Sequence, residues 1–278
     1  MEILIAKKAG FCFGVMRALD ITRRIRQETG EPVYTYGPII HNPQVVEKLK
    51  KEGIIPIEDL NEVEPEGYLV IRSHGVSPQI VEDARRRGFK IIDATCPYVK
   101  RAQQFAKKLV DDGYRVIIIG EKDHPEVQGI LGHTRNRAEI YDDDIEISEG
   151  ERVGLIAQTT QSFKKLEKVT LKFLPKTIEL RVFNTICSAT SERQEEAEKL
   201  SRLVDIMIVI GGKNSANTTR LAKIAARKCS QVIHIETAEE LQSSLFKNIK
   251  KVGVTAGAST PDWIIEAVIK KIKSFREV

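Results

Sequence analysis

The chain has 278 residues, 41% hydrophobic and 30% charged, which excludes disordered and collagen-like classes and leaves room for one large domain or two to three small ones. A net charge of +5, from 44 Lys and Arg against 39 Asp and Glu, is mild, and 6% aromatic residues is low for a nucleic-acid binder, so no nucleic acid partner is expected. The longest apolar run, Ile206 to Ile210, falls far short of the roughly 20 residues of a membrane helix, and no secretory leader opens the sequence, so a cytoplasmic protein with no membrane partner is expected.

In chain order, apolar runs bounded by turn residues occur at 2–6, 33–36, 68–72, 90–94, 115–119, 153–157, 180–183, 205–210, 231–235 and 251–255. Helix-face spacing follows most of them, as in Ile80, Val81, Ala84 and Phe89, in Val99, Ala102, Phe105, Ala106 and Leu109, and in Leu221, Ile224 and Ala225. Strands alternating with helices imply an α/β fold with parallel sheets covered on both faces. The basic runs Arg23-Arg24, Arg85-Arg86-Arg87 and Lys270-Lys271 fall late in helical patterns, where cations complement the dipole and face solvent.

Four cysteines stand far apart with no CxxC pair, which argues against a zinc finger or a thioredoxin-type motif. Cys12 to Cys96 is 84 residues and Cys96 to Cys187 is 91, close to one third of the chain, and each of the three lies after a strand and ahead of a helix. Cys229 breaks the phase. His41, His124 and Ser215 follow the three cysteines by 29, 28 and 28 residues, and His74, Thr159 and Ser259 follow them by 62, 63 and 72. The spacing predicts three similar α/β units in a pseudo-threefold trefoil, 12–95, 96–186 and 187–278, with 1–11 a strand of open assignment. Each unit points one cysteine and two polar loops at a shared centre.

Helix starts are expected at Asn42-Pro43, Ser77-Pro78 and Thr260-Pro261, with the polar residue as N-cap and Pro at the first helical position. Helix N-termini converging at the carboxyl ends of parallel strands make an anion site. Three soft thiolates without an equivalent fourth ligand favour an iron–sulfur cluster with one open iron over zinc. His133 reads as a surface or capping histidine, His234 as a structural strand residue, and Trp263 as a core residue at a helix start.

The segments Gly10–Val15, Gly37–Asn42, Arg72–Gly75, Asp93–Pro97, His124–Val127, Gln158–Thr160, Thr185–Cys187, Lys213–Ser215 and Thr255–Ser259 resemble, in order and over essentially the whole chain, the 4-hydroxy-3-methylbut-2-enyl diphosphate reductases. The resemblance implies one oxygen-sensitive 4Fe–4S cluster per chain on Cys12, Cys96 and Cys187, and reductive loss of an allylic hydroxyl to give isopentenyl and dimethylallyl diphosphates. It implies a diphosphate pocket of His41, His74, His124, Ser215, Asn217 and Ser259, with Glu126 as the proton-relay acid, His124 in the same network and Thr159 as the hydroxyl that orders it. The pattern departs at Ala216, where many relatives carry a second Ser, leaving the backbone N–H at 216 in its place. No GxGxxG dinucleotide fingerprint occurs, so a ferredoxin or flavodoxin is the expected electron donor. A quinolinate-synthase-like cluster enzyme and a non-enzymatic redox sensor are the alternatives. The His-Asn-Pro and His-Pro-Glu loops argue against the first, and the repeating His, Thr and Ser positions against the second.

Overall fold

The computed structural model describes residues 1–275. In chain order the elements are β1 (Glu2–Ile5), α1 (Phe13–Thr29), β2 (Val33–Tyr36), α2 (Pro43–Lys51), β3 (Ile54–Ile57), β4 (Tyr68–Ile71), α3 (Pro78–Arg87) and β5 (Lys90–Asp93). They continue as α4 (Pro97–Asp111), β6 (Arg115–Ile119), α5 (Pro125–His133), β7 (Glu139–Ile140), β8 (Glu151–Ala157), α6 (Phe163–Phe173) and β9 (Thr177–Phe183). The last are α7 (Ser188–Ser201), β10 (Ile206–Ile210), α8 (Ala216–Ala225), β11 (Gln231–Ile235), β12 (Lys251–Ala256) and α9 (Asp262–Ser274).

These strands form three four-stranded parallel sheets, ordered β3-β2-β4-β5, β7-β6-β8-β9 and β1-β12-β10-β11. The third, read backwards, repeats the order of the other two, with β1 in the place of β5 and β9. Residues 1–11 therefore supply the fourth strand of the last sheet, through the parallel pairing of Glu2–Ile5 with Lys251–Val254. By compactness the chain divides into two units: one of residues 1–15, 41–45 and 188–278, holding the third sheet, and one of residues 16–40 and 46–187, holding the first two.

Alternation along each central strand explains the layering, because successive side chains of a parallel strand enter opposite cores. In β10, Ile206, Ile208 and Ile210 pack with Ile264, Val268 and Ile272 of α9. Met207 and Val209 face the other way, onto Ala197 and Leu200 of α7 and Leu221 and Ala225 of α8. In β6, Ile117 and Ile119 meet Leu166, Val169 and Phe173 of α6, while Val116 and Ile118 meet Ala102, Ala106 and Leu109 of α4 and Val127 and Ile130 of α5. Each fully buried side chain of this size contributes about 1.5 to 3 kcal/mol. Within the larger unit α3 and α5 approach closely, since a Cβ at Gly132 would lie 2.2 Å from Ser77 Cβ.

Two strands escape the hydrophobic pattern. β3 carries Pro56, which an edge strand tolerates, and β7 has only two residues. Trp263, expected in the core, is 45% exposed, because α9 turns Ile264, Ile265 and Val268 inward instead. The α9 start also shifts by one: Pro261 occupies the cap position, since the Thr260 hydroxyl donates to Ile210 O at 3.0 Å rather than capping the helix. Ser77 precedes α3 as expected, without a side-chain cap bond, whereas Asn42 Oδ1 accepts the Val45 N–H at 3.1 Å. His133 holds Gly129 O at 2.8 Å within α5, and His234 holds Gly211 O at 2.9 Å. Among the described residues no helix is long and apolar enough to cross a membrane.

Candidate active site

Each sheet reverses its winding direction between its two central strands, and ligands of α/β proteins bind outside the carboxyl ends of strands at such a reversal. The exits at these points are Gly37–His41 and Arg72–His74 after β2 and β4, Gly120–His124 and Gln158–Thr159 after β6 and β8, and Gly211–Ser215 and Gly257–Ser259 after β10 and β12. These are the loops on which the repeat in the sequence places its polar residues.

The cysteines occupy equivalent positions beside them. Each follows the fourth strand of its sheet and donates its backbone N–H to the exit of the neighbouring strand: Cys96 to Ser73 O at 2.9 Å, Cys187 to Thr159 O at 3.0 Å and Cys12 to Ala258 O at 3.1 Å. Ser73 immediately precedes His74, and Ala258 immediately precedes Ser259. One main-chain bond thus fixes each cysteine relative to a predicted site residue. Cys96 is the N-cap of α4, with Pro97 pre-setting the first turn.

In the larger unit the edge of the His74 ring meets the His124 ring, centroids 5.4 Å apart. His124 caps α5, its Nδ1 accepting the Glu126 N–H at 3.1 Å, so the neutral ring carries its proton on Nε2. Glu126 is 1% exposed. Its Oε1 accepts the Thr159 N–H at 2.6 Å and its Oε2 accepts the Thr159 hydroxyl at 2.8 Å. A buried carboxylate is tolerable only with such partners. Gln158, also buried, accepts the Glu121 N–H at 3.0 Å and so ties the β6 and β8 exits together.

In the smaller unit Ser215 caps α8, its Oγ accepting the Thr218 N–H, and Ala216 is the first helical residue. Asn217 is 5% exposed, yet neither side-chain amide atom has a hydrogen-bond partner among the described residues. Burial of an amide with both ends unsatisfied costs about 1 to 3 kcal/mol, which a polar ligand at the helix N-terminus would offset. Ser259 Oγ donates to His41 O at 3.0 Å, anchoring the His41–Val45 segment in this unit. Close backbone approach explains glycines that the sequence pattern did not single out: a Cβ would lie 2.9 Å from His41 O at Gly212 and 2.0 Å from Thr218 Oγ1 at Gly257. The Gly-Gly pair after β10 was the available signal.

Cys12, Cys96 and Cys187 are half-buried thiols, as ligands reached by a metal centre should be, while Cys229 is 4% exposed in the hydrophobic core. Cys229 Sγ points at Gln231 O, 3.2 Å away, as a weak donor. The donor set of three soft thiolates in equivalent strand-to-helix positions fits an iron–sulfur group.

A family profile described as LytB protein matches residues 3–273. The chain belongs to the LytB protein family. Among curated LytB relatives, the 4-hydroxy-3-methylbut-2-enyl diphosphate reductase of Geobacter sulfurreducens is 49% identical over 278 residues, covering 99% of this chain and 98% of the relative. The enzyme of the same name from Citrifermentans bemidjiense is 47% identical over 277 residues, covering 99% of this chain and 98% of the relative. A solved structure described as (E)-4-hydroxy-3-methyl-but-2-enyl diphosphate reductase, the terminal enzyme of the non-mevalonate pathway, is 47% identical with a TM-score of 0.73, covering 99% of this chain and 100% of that one. The Plasmodium falciparum E-1-hydroxy-2-methyl-but-2-enyl-4-diphosphate reductase is 30% identical with a TM-score of 0.90, covering 97% of this chain and 87% of that one.

Proposed function

We infer that this LytB chain is a 4-hydroxy-3-methylbut-2-enyl diphosphate reductase, an oxidoreductase of isoprenoid biosynthesis. It takes the allylic alcohol diphosphate, two electrons and two protons to isopentenyl or dimethylallyl diphosphate and water. The observation that carries the reading is the Glu126–Thr159 pair, a buried carboxyl held by one residue whose own carbonyl binds the N–H of Cys187. An acid and a soft-metal ligand meet there on a single residue. A sensor has no use for that arrangement, and the near full-length similarity to the reductases supports the enzyme.

Cys12, Cys96 and Cys187 hold one 4Fe–4S cluster, and the units 12–95, 96–186 and 187–278, completed by strand 1–11, each contribute one ligand. The cluster, when bound, would supply Lewis acidity and single-electron storage. The remaining chemistry belongs to the chain. Ser215, Asn217, Ser259 and the N–H of Ala216 receive the diphosphate at the N-terminus of α8, helped by His41, His74 and His124. Glu126 holds the proton that turns the departing hydroxyl into water, and Thr159 fixes the carboxyl. His124, whose Nδ1 is committed to the Glu126 N–H, presents Nε2–H to the substrate. With no dinucleotide fingerprint, electrons come from a small acidic ferredoxin or flavodoxin in the cytoplasm, attracted by the basic balance of +5.

Anaerobic purification followed by iron and sulfide analysis and electron-spin resonance tests the reading. About four irons and four sulfides per chain are expected, the content of a 4Fe–4S cluster. A chain that binds zinc and no sulfide would overturn it.

A further inference from the structure

Among the described residues, five of the eleven exposed large apolar side chains are Phe163, Leu171, Leu174, Ile178 and Val182, which cluster in one short stretch of sequence. Exposed apolar side chains scattered singly need no explanation, whereas a concentration of them marks an interaction surface. These five belong to α6, to the turn after it and to β9, an edge strand of the second sheet. β9 has seven residues and no proline, whereas the other edge strands, β1, β3, β5, β7 and β11, have two to five. Among the described residues no main-chain group of β9 bonds beyond β8. An open edge of this length is a template for another strand.

Helical phase carries the apolar surface from this edge onto α6. Lys165 and Lys172 reach the Tyr141 ring, 5.8 and 5.5 Å from its centroid, and Tyr141 follows β7 at the opposite edge of the sheet. Leu166, Val169 and Phe173 bury the face beneath the helix. At about 100° per residue Phe163, Leu171 and the still-helical Leu174 project from the flank away from Tyr141, towards β9, with Glu167 between them. Ile178 is an extra residue in β9, where the pairing passes from Glu151–Thr177 directly to Arg152–Glu179, and it stands 75% exposed.

The strand is complementary to itself. Thr177–Phe183 reads Thr-Ile-Glu-Leu-Arg-Val-Phe. In an antiparallel pair of two copies with Leu180 opposite Leu180, Glu179 stands opposite the second copy's Arg181 and Ile178 opposite its Val182, each pair occurring twice. Centring the pair one residue to either side sets Glu179 against Glu179 or Arg181 against Arg181, and like charges directly opposite repel. Within one chain Glu179 and Arg181 already form a charge-balanced set with Arg152 and Asp112, so the pairing buries no lone charge.

We propose that β9 pairs antiparallel with β9 of a second copy of this chain about a twofold axis at Leu180. Two four-stranded sheets then become one, and the apolar flanks of the two α6 helices close over Ile178 and Val182. The pairing is independent of the reductase reading, since no residue of the candidate active site takes part.

Analytical ultracentrifugation of the full chain, with a thermal melt of each variant, tests this. The parent should sediment as a dimer at micromolar concentration. Ile178→Lys and Val182→Glu each set a charge against an apolar partner twice, and each should raise the dissociation constant by about tenfold or more. Both substitutions in one chain set lysine opposite glutamate at both positions, and the constant should return to within about threefold of the parent. An equimolar mixture of the two single variants should likewise form mixed dimers. A parent that stays monomeric at its highest soluble concentration overturns the proposal, as does a dimer that both single variants leave at parental affinity. Single variants that weaken the dimer, with a double variant that stays equally weak, overturn the pairing about Leu180. Should one single variant not fold, the dissociation constant of the other decides.

Discussion

Thr159 holds Glu126 by both carboxylate oxygens, through its N–H at 2.6 Å and its hydroxyl at 2.8 Å. The pair lies at the winding reversal between β6 and β8, where the exits of two central strands meet. Glu126→Gln keeps shape and hydrogen bonding, since the Thr159 hydroxyl can turn to accept from the new amide. Turnover should fall by about 100-fold or more with cluster and substrate binding retained, the scale of general acid catalysis. Steady-state kinetics at saturating substrate check this, and turnover within about threefold of the parent would reduce Glu126 to an early-helix residue favoured by the dipole.

Thr159→Val removes the hydroxyl but leaves the N–H and the carbonyl that binds Cys187. Iron content should match the parent, and turnover should drop by about tenfold, less than for Glu126→Gln, because one net hydrogen bond to a charged group is lost. Loss of iron in this variant would place the hydroxyl in cluster support rather than in proton handling.

Asn217→Ala separates a ligand-binding role from a structural one. No hydrogen bond inside the described protein is lost with the amide, so the ligand-free melting temperature should hold or rise. Binding of a diphosphate analogue should weaken by about tenfold or more, one charge-assisted bond at the helix N-terminus. Isothermal titration and a thermal melt on the same preparation give both numbers. A destabilised variant with unchanged affinity would remove Asn217 from the pocket.

The fold was legible in the sequence wherever a strand was apolar and followed by helical periodicity. Proline in Ile54–Ile57 and the brevity of Glu139–Ile140 hid two edge strands. The cysteine phase has a structural counterpart, since each of Cys12, Cys96 and Cys187 follows the fourth strand of its sheet. It left residues 1–11 unassigned because the third sheet borrows its fourth strand from the start of the chain. The backbone partners Ser73 O and Ala258 O were illegible, since main-chain acceptors leave no residue-type signature. Trp263 misled for a related reason: a helix start fixes which residues are helical, not which of them face the core.

Cys229→Ser should leave iron content unchanged, because this thiol lies in the core among backbone carbonyls. Cys187→Ser should abolish the cluster. Metal analysis of both variants decides, and loss of iron in Cys229→Ser alone would refute the threefold argument.

Stability should respond to acid through Glu179. Its carboxyl is held at about 2, against 4.5 for an ordinary glutamate, by hydrogen bonds from Tyr114 and Arg152 and further from Arg181. A depressed carboxylate stabilises the fold above its unfolded-state value, and the contribution fades as pH falls from about 4.5 towards 2. The site is exposed, so added salt should weaken the effect. Glu179→Gln should melt below the parent at pH 7, and the gap should narrow at pH 3. A gap that widens on acidification would refute this.

The most direct measurement is anaerobic turnover of (E)-4-hydroxy-3-methylbut-2-enyl diphosphate by the parent protein with a reduced viologen dye, products identified by mass. Isopentenyl and dimethylallyl diphosphates should form, two dye electrons consumed for each substrate. A fully loaded protein that oxidises no dye and leaves the substrate intact would contradict the account.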